Sequence, residues 1–336
     1  MNMQPLIDKL QLGELKAQPE LLQGGALHSM IKIETSKGIY AIKRLNPHIT
    51  AKSNFKKSYE YSEQIANEMA KNAIPAVNAL SFNDEYVINV DKCHYIIYPY
   101  IDGHLLDESK LTLEHARSVG ELYSLIHSID IHHAEIDEAQ YEYFDDAHWV
   151  KLIEQSKYSD LIALLPVILD WNHAYFQAIP ALKQESVITH RDMHIQNVLW
   201  DGQSKPHIID WESAGLMNPM LEIIGYGLEW SGIILYQKVN VPFLKKLIAT
   251  YHQHSSKTWI TSPHQAFKGW LGHCVLAWTE FNIRRMLGEV SSDEAEILKG
   301  REIIEKQMIP CIKYIRREEV FLKPLLEKPT NRPLHR

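Results

Sequence analysis

Between residues 187 and 212 the chain reads VITHRDMHIQNVLWDGQSKPHIIDWE. Here His190-Arg191-Asp192 is followed by Asn197, five residues after the aspartate, and then by Asp210 at the end of the next apolar run. Val198–Trp200 and His207–Ile209 read as two strands around an Asp201-Gly202 turn. A carboxylate, an amide and a second carboxylate on the loops of one hairpin can converge on a single point. Phosphoryl transfer uses such a set: one carboxylate aligns the attacking hydroxyl, while the amide and the other carboxylate hold Mg2+, a hard cation that takes oxygen ligands. Taken singly, each of these residues is an ordinary turn former. The ordered string is what carries the chemistry.

Such a hairpin needs a partner that binds phosphates, and the preceding residues supply candidates. Residues 26–45 form two β-rich runs around Ser36-Lys37-Gly38, with Lys43 of Tyr40-Ala41-Ile42-Lys43 on the second. A lone strand lysine is usually just solvated, but here it is placed to reach back toward phosphates. Residues 54–72 read as a helix that stops before Ile74-Pro75, and its Glu60, Glu63 and Glu68 are all available to hold Lys43. Three short β-like runs follow, Ala76–Phe82, Tyr86–Val90 and His94–Tyr98, separated by Asn83-Asp84 and Asp91-Lys92. Ahead of the first strand, Gly24 and Gly25 can offer bare N–H groups to phosphate oxygens, although a glycine pair there is also an ordinary turn. These runs predict a lobe of five strands and one helix over residues 1–98. Tyr98-Pro99-Tyr100-Ile101-Asp102-Gly103 punctuates the chain. Residues 99–336 read as a second lobe, whose apolar-faced helices are expected at 111–129, 149–155, 161–181, 220–236, 243–254, 264–286 and 293–320.

The string His190-x-Asp192-x-His194-x-x-Asn197, followed by Ile208-Ile209-Asp210-Trp211-Glu212, resembles the signature of the aminoglycoside phosphotransferase and choline kinase family. The resemblance covers most of the chain and implies an α+β, bilobal protein-kinase-like fold. Its N-lobe would be a small antiparallel sheet with one main helix, and its C-lobe larger and mainly helical. It implies a small-molecule kinase, with Asp192 as catalytic aspartate, Asn197 and Asp210 on Mg2+, and Lys43 on the α- and β-phosphates of ATP, or of GTP in its place. Nucleotide would sit between the lobes. Counting back from Ile74-Pro75, it favours Glu63 as the partner of Lys43, Gly24 and Gly25 as the phosphate-covering loop, and residues 97–100, with Tyr98 and Tyr100, as the hinge whose backbone meets adenine. His190 is expected to brace the loop and His194 to be structural. Asp210-Trp211-Glu212 stands where protein kinases have Asp-Phe-Gly, His194 stands where they have lysine, and no Ala-Pro-Glu segment follows. Glu222-Ile223 replaces the family's usual Asp-Ile or Asp-Leu. A protein kinase and a non-catalytic nucleotide-binding protein of the same fold are the alternatives.

Composition narrows the partners. The 336 residues carry 35 basic and 42 acidic groups, a net charge of −7, which argues against a nucleic-acid binder. No apolar stretch is long enough for a membrane span, and three widely spaced cysteines make no disulfide framework; a cytoplasmic protein is expected. Residues 101–230 hold 22 acids against 7 bases. Among them Asp130, Glu135, Asp137, Glu138, Glu142, Asp145 and Asp146 follow one another with no Lys or Arg between, which would draw a cationic acceptor. Trp211, Trp230, Trp270 and Trp278 are candidates for a cation–π wall, though tryptophans at helical positions are more often core. His132-His133 and His252-x-His254 lack a completing set of zinc ligands.

Overall fold

The structure is a computed structural model that describes residues 2–22, 28–51, 53–131 and 137–326. Its contacts divide the chain into two units, and the division is not a single cut at residue 98. Residues 190–215 pack with those up to 106, while 107–130, 137–189 and 216 onward form the second unit.

The first unit is built on a five-stranded sheet. Helix α1 (Gln4–Leu10) leads into strands β1 (Glu20–Leu22), β2 (Ser29–Thr35) and β3 (Gly38–Arg44), and after α2 (Pro47–Thr50) and α3 (Phe55–Lys71) come β4 (Ile88–Val90) and β5 (Cys93–Pro99). The strand order is β1-β2-β3-β5-β4. Every neighbouring pair is antiparallel. Period-two alternation puts Ile31, Ile33, Ile42 and Ile97 on one face, and α1 covers it with Leu6 and Ile7. Helix α3 buries Tyr59, Ile65, Ala66 and Met69 at helical spacing and ends where Ala73 turns to φ 62 ahead of Pro75.

One strand differs from expectation. Ala76–Phe82 is not a sheet strand, because its backbone divides its bonds between two elements. Val77 N–H donates to Ile208 O (2.8 Å) and Leu80 N–H to Ile97 O (2.8 Å). The fifth strand is β1 instead, in register Glu20 with Lys32. Three residues are too short a run to show a period.

The predicted hairpin is present as β8 (Val198–Asp201) and β9 (Pro206–Ile208), with Val198 opposite Ile208. Strand β6 (Gly103–Leu105) pairs with β8 on its other edge.

The second unit is helical: α4 (Leu113–Ser128), α5 (Asp146–Ser156), α6 (Ser159–Leu182), α7 (Pro219–Trp230), α8 (Ile233–Tyr236), α9 (Val241–His254), α10 (Pro263–Trp270), α11 (Ala277–Met286), α12 (Glu294–Ile303) and α13 (Ile309–Leu326). Strands β7 (Val187–Thr189) and β10 (Gly215–Met217) complete the inventory. The single helix expected over 220–236 is two, because Gly232 takes φ 95 and breaks it. Those expected over 264–286 and 293–320 each contain a π-helical segment, Leu271–Leu276 and Ile304–Met308. Trp211, Trp230 and Trp270 are fully buried core residues, which removes them from any exposed aromatic wall. Trp278 is exposed and stacks on Phe281 with ring centroids 5.5 Å apart. Among the described residues, no helix is long and apolar enough to cross a membrane.

Candidate active site

The register of the hairpin explains why residues far apart in number meet. With Val198 opposite Ile208, the next step toward its open end sets Asn197 against Ile209, whose N–H donates to Asn197 O (3.0 Å). Asp210 follows directly, held at φ 63. An aspartate tolerates this left-handed conformation better than a β-branched residue would. Behind it, buried Trp211 anchors the turn by donating from Nε1 to Ile208 O (3.1 Å).

The loop 190–197 is closed by its own side chains. Asn197 Nδ2 donates to both the carbonyl (2.8 Å) and Oδ2 (2.9 Å) of Asp192. His190 is fully buried, with Nε2 3.0 Å from Ile209 O, so it ties the loop to the strand that leads into Asp210. Gln196 N–H donates to His194 Nδ1 (3.1 Å), which leaves the ring proton on Nε2, 3.5 Å from Asp192 Oδ1. Burial, then the charge of His190, carries the His194 pKa down to about 4, so the ring faces Asp192 uncharged.

Lys43 enters from β3 and is buried. Its Nζ lies 2.6 Å from Asp210 Oδ1 and 2.6 Å from Glu212 Oε2. Burial alone would lower its pKa, but the two carboxylates outweigh burial and hold it above the ordinary lysine value. For Glu212 burial acts upward, and Lys43 with His28 overcomes it, bringing the carboxyl down to about 2. Thus Lys43, Asp210, Asn197 and Asp192, all named from the sequence, come together in the first unit.

The remaining described candidates have bonds of their own. Glu63 is not bonded to Lys43: its Oε2 accepts from Ala79 N–H (3.1 Å) and its Oε1 is hydrogen-bonded to the Tyr98 hydroxyl. Burial raises the Glu63 carboxyl to about 7 and the Tyr98 phenol well above its ordinary value. Glu60 accepts from Tyr86 and Val87 N–H, and Glu68 pairs with Lys71. Tyr98 therefore commits its side chain to α3, while Tyr100 donates its N–H to Ile39 O (3.1 Å) and lies under the Lys32 ammonium. Gly24 and Gly25 lie outside the described residues.

Glu212 carried no role in the sequence reading. The signal was there: it is a second carboxylate two residues after Asp210, and it stands where Asp-Phe-Gly would place glycine.

The donor set fits a hard divalent cation. Asn197 gives its Nδ2 to Asp192, which leaves the amide Oδ1 to act as an acceptor, and of the two Asp210 carboxylate oxygens Lys43 bonds Oδ1. One amide oxygen and one carboxylate oxygen suit Mg2+, which keeps several waters and takes other ligands from phosphates.

In the second unit, Glu222 is fully buried on α7 and bonds His127 Nε2 (2.6 Å), whose Nδ1 meets the Tyr251 hydroxyl (2.8 Å). The longer acid thus reaches across to α4. Part of the acidic run has structural work: Asp145 caps α5 by accepting from His148 N–H (2.7 Å), and Asp146 pairs with His173 (2.9 Å). Glu135 and His132-His133 lie outside the described residues.

A model of the phosphotransferase enzyme family matches residues 20–255. No curated protein matches the sequence. Among solved structures, the chain is similar to spectinomycin phosphotransferase in complex with ADP and spectinomycin, at a TM-score of 0.70 and 14% identity, covering 95% of this chain and 99% of that one. It is also similar to an ethanolamine kinase of Plasmodium vivax (TM-score 0.59, 15% identity, 90% and 83% covered). A third similar structure is the choline kinase LicA from Streptococcus pneumoniae (0.57, 15%, 93% and 98%). At these identities the structural likeness establishes a shared kinase-like fold, and the family model, which takes in well over half of the sequence, establishes the rest: the chain belongs to the phosphotransferase enzyme family.

Proposed function

We propose that the chain transfers the γ-phosphate of ATP, with Mg2+, to a hydroxyl of a small cationic acceptor. The observation that carries this reading is the meeting of Lys43 with Asp210 at 2.6 Å beside the bonded pair Asn197–Asp192, a cation, a carboxylate, an amide and a second carboxylate in one unit. Asp192 would orient the acceptor hydroxyl and receive its proton as the oxygen bonds to the γ-phosphorus and the bond to the β,γ-bridging oxygen breaks, releasing ADP. Lys43 would neutralise charge on the phosphate chain. Mg2+ held by Asn197 and Asp210 would supply charge neutralisation on the phosphate oxygens as the bond breaks.

The donor assignment is supported by the ADP named with the spectinomycin enzyme. The acceptor assignment draws on the excess of acids over residues 101–230 and on relatives that act on spectinomycin, ethanolamine and choline, all amines or quaternary ammonium compounds.

The test is a coupled nucleotide-consumption screen with Mg·ATP and Mg·GTP over aminoglycosides, choline, ethanolamine, amino alcohols and neutral sugars, with Asp210→Ala as blank. Turnover on a cationic acceptor above that blank is the expected result. A hit confined to neutral sugars would overturn the cationic assignment, and labelling of peptides alone would overturn the small-molecule one.

A further inference from the structure

A buried lysine that must meet a phosphate chain needs a carboxylate to hold it extended, since fixing a lysine side chain costs rotamer entropy. Besides Asp210, which the functional reading gives to the metal ion, two candidates lie near Lys43. Both oxygens of Glu63 are engaged by other donors, the Tyr98 hydroxyl and Ala79 N–H. Glu212 gives Oε2 to Lys43 at 2.6 Å. It also follows directly on a turn shaped by Asp210 at φ 63 and anchored by the buried indole of Trp211.

Glu212 is itself held. Asn46 N–H donates to His28 Nδ1 (3.0 Å), which puts the ring proton on Nε2. That nitrogen lies 2.7 Å from the Tyr59 hydroxyl and 3.4 Å from Glu212 Oε2. His28 and Tyr59 are both buried, and their rings meet edge to face at 5.8 Å. A backbone N–H, an imidazole and a phenol thus lead to the carboxylate that faces Lys43.

We infer that Glu212, steadied by His28 and Tyr59, is the positioning residue that fixes Lys43 for the phosphate chain, in place of a carboxylate from α3. The inference rests on the phosphotransferase reading above. It moves the anchor of Lys43 onto the segment that already carries Asp210, so that lysine and metal-binding carboxylate are set by one rigid turn.

The experiment is a pair of double-mutant cycles read by calorimetric ADP binding in EDTA, which removes any effect through a metal ion. In the otherwise unchanged chain Glu212→Gln weakens ADP binding about tenfold, and in a Lys43→Met background by less than about twofold, because its effect passes through the lysine. Tyr59→Phe shows the same pattern at smaller size. Glu63→Gln couples to Lys43→Met less than Glu212→Gln does. Adenosine, which has no phosphates, binds the Glu212→Gln protein within about twofold of the unchanged chain, a readout that a loss of fold would also move. The inference is overturned if Glu212→Gln acts equally in both backgrounds, if it leaves or improves ADP binding, or if Glu63 couples to Lys43 as strongly. An unchanged chain that binds neither ADP nor ATP overturns the functional reading and this inference together.

Discussion

Asn197 donates from one nitrogen to both the carbonyl and the carboxylate of Asp192, at 2.8 and 2.9 Å. The amide that would give its oxygen to the metal ion therefore also fixes the carboxylate that would face the acceptor, which couples the two roles mechanically. Asp192→Asn keeps an acceptor oxygen for Asn197 and so preserves the loop, but removes the proton acceptor. Transfer is expected to fall by about 10²–10⁴, while ADP affinity stays within about threefold. Steady-state assay beside calorimetry checks it; near-normal turnover would remove Asp192 from the mechanism.

Lys43 bonds Oδ1 of Asp210, whose side chain is 34% exposed. EDTA is expected to abolish transfer. Asp210→Asn should raise the Mg2+ concentration for half-maximal rate by about tenfold or more, since a neutral amide is the weaker ligand for a hard cation. Titration of Mg2+ at saturating nucleotide decides it, an unchanged midpoint being the contrary outcome.

Glu63 gives a pH dependence with a definite sign. Its folded carboxyl is raised by burial to about 7, against 4.5 when unfolded. Between those values the unfolded chain has lost a proton that the folded chain keeps, so this group's contribution to stability is fully present below pH 4.5 and is lost as pH rises to about 7. The whole effect is roughly 3 kcal/mol. Glu63→Gln, which cannot ionise, should flatten the unfolding free energy over that window, measured by denaturant titration at pH 5, 6, 7 and 8. An identical slope in both proteins would contradict the assignment.

The π-helical segment Leu271–Leu276 brings Gly272 against Tyr175, where an added Cβ would lie 1.9 Å from the ring. Gly272→Ala is expected to cost about 3 kcal/mol or more through overpacking. Gly202→Ala, at the hairpin turn with nothing within 4 Å of its Cβ, should stay within about 0.5 kcal/mol. Thermal unfolding of the two variants side by side checks the contrast.

Some of this was legible before any coordinates. The spacing Asp192, Asn197, Asp210 and the position of Lys43 depend on one hairpin and one strand, whose turns and alternation are local features, and the structure brings these four residues together. The helices of the second unit were readable for the same reason, since an apolar stripe at helical spacing is written in consecutive residues. Their breaks were less so: a π segment adds a residue inside a continuous helix, and the close packing of Gly272 on Tyr175 exists only in the tertiary structure.

What the sequence could not rank was choice among equivalent partners. Glu60, Glu63 and Glu68 are alike in type and lie on one helix, yet each is bonded elsewhere, and the carboxylates at Lys43 come from residues 210 and 212. Ala76–Phe82 has the composition of a strand, but Val77 and Leu80 find carbonyls on two different elements. The string of residue types along the chain determined which chemistry is available here, because type and short spacing set local conformation. Which carboxylate meets which cation was decided by burial and by competing hydrogen-bond donors, and those exist only once segments distant in sequence are packed together.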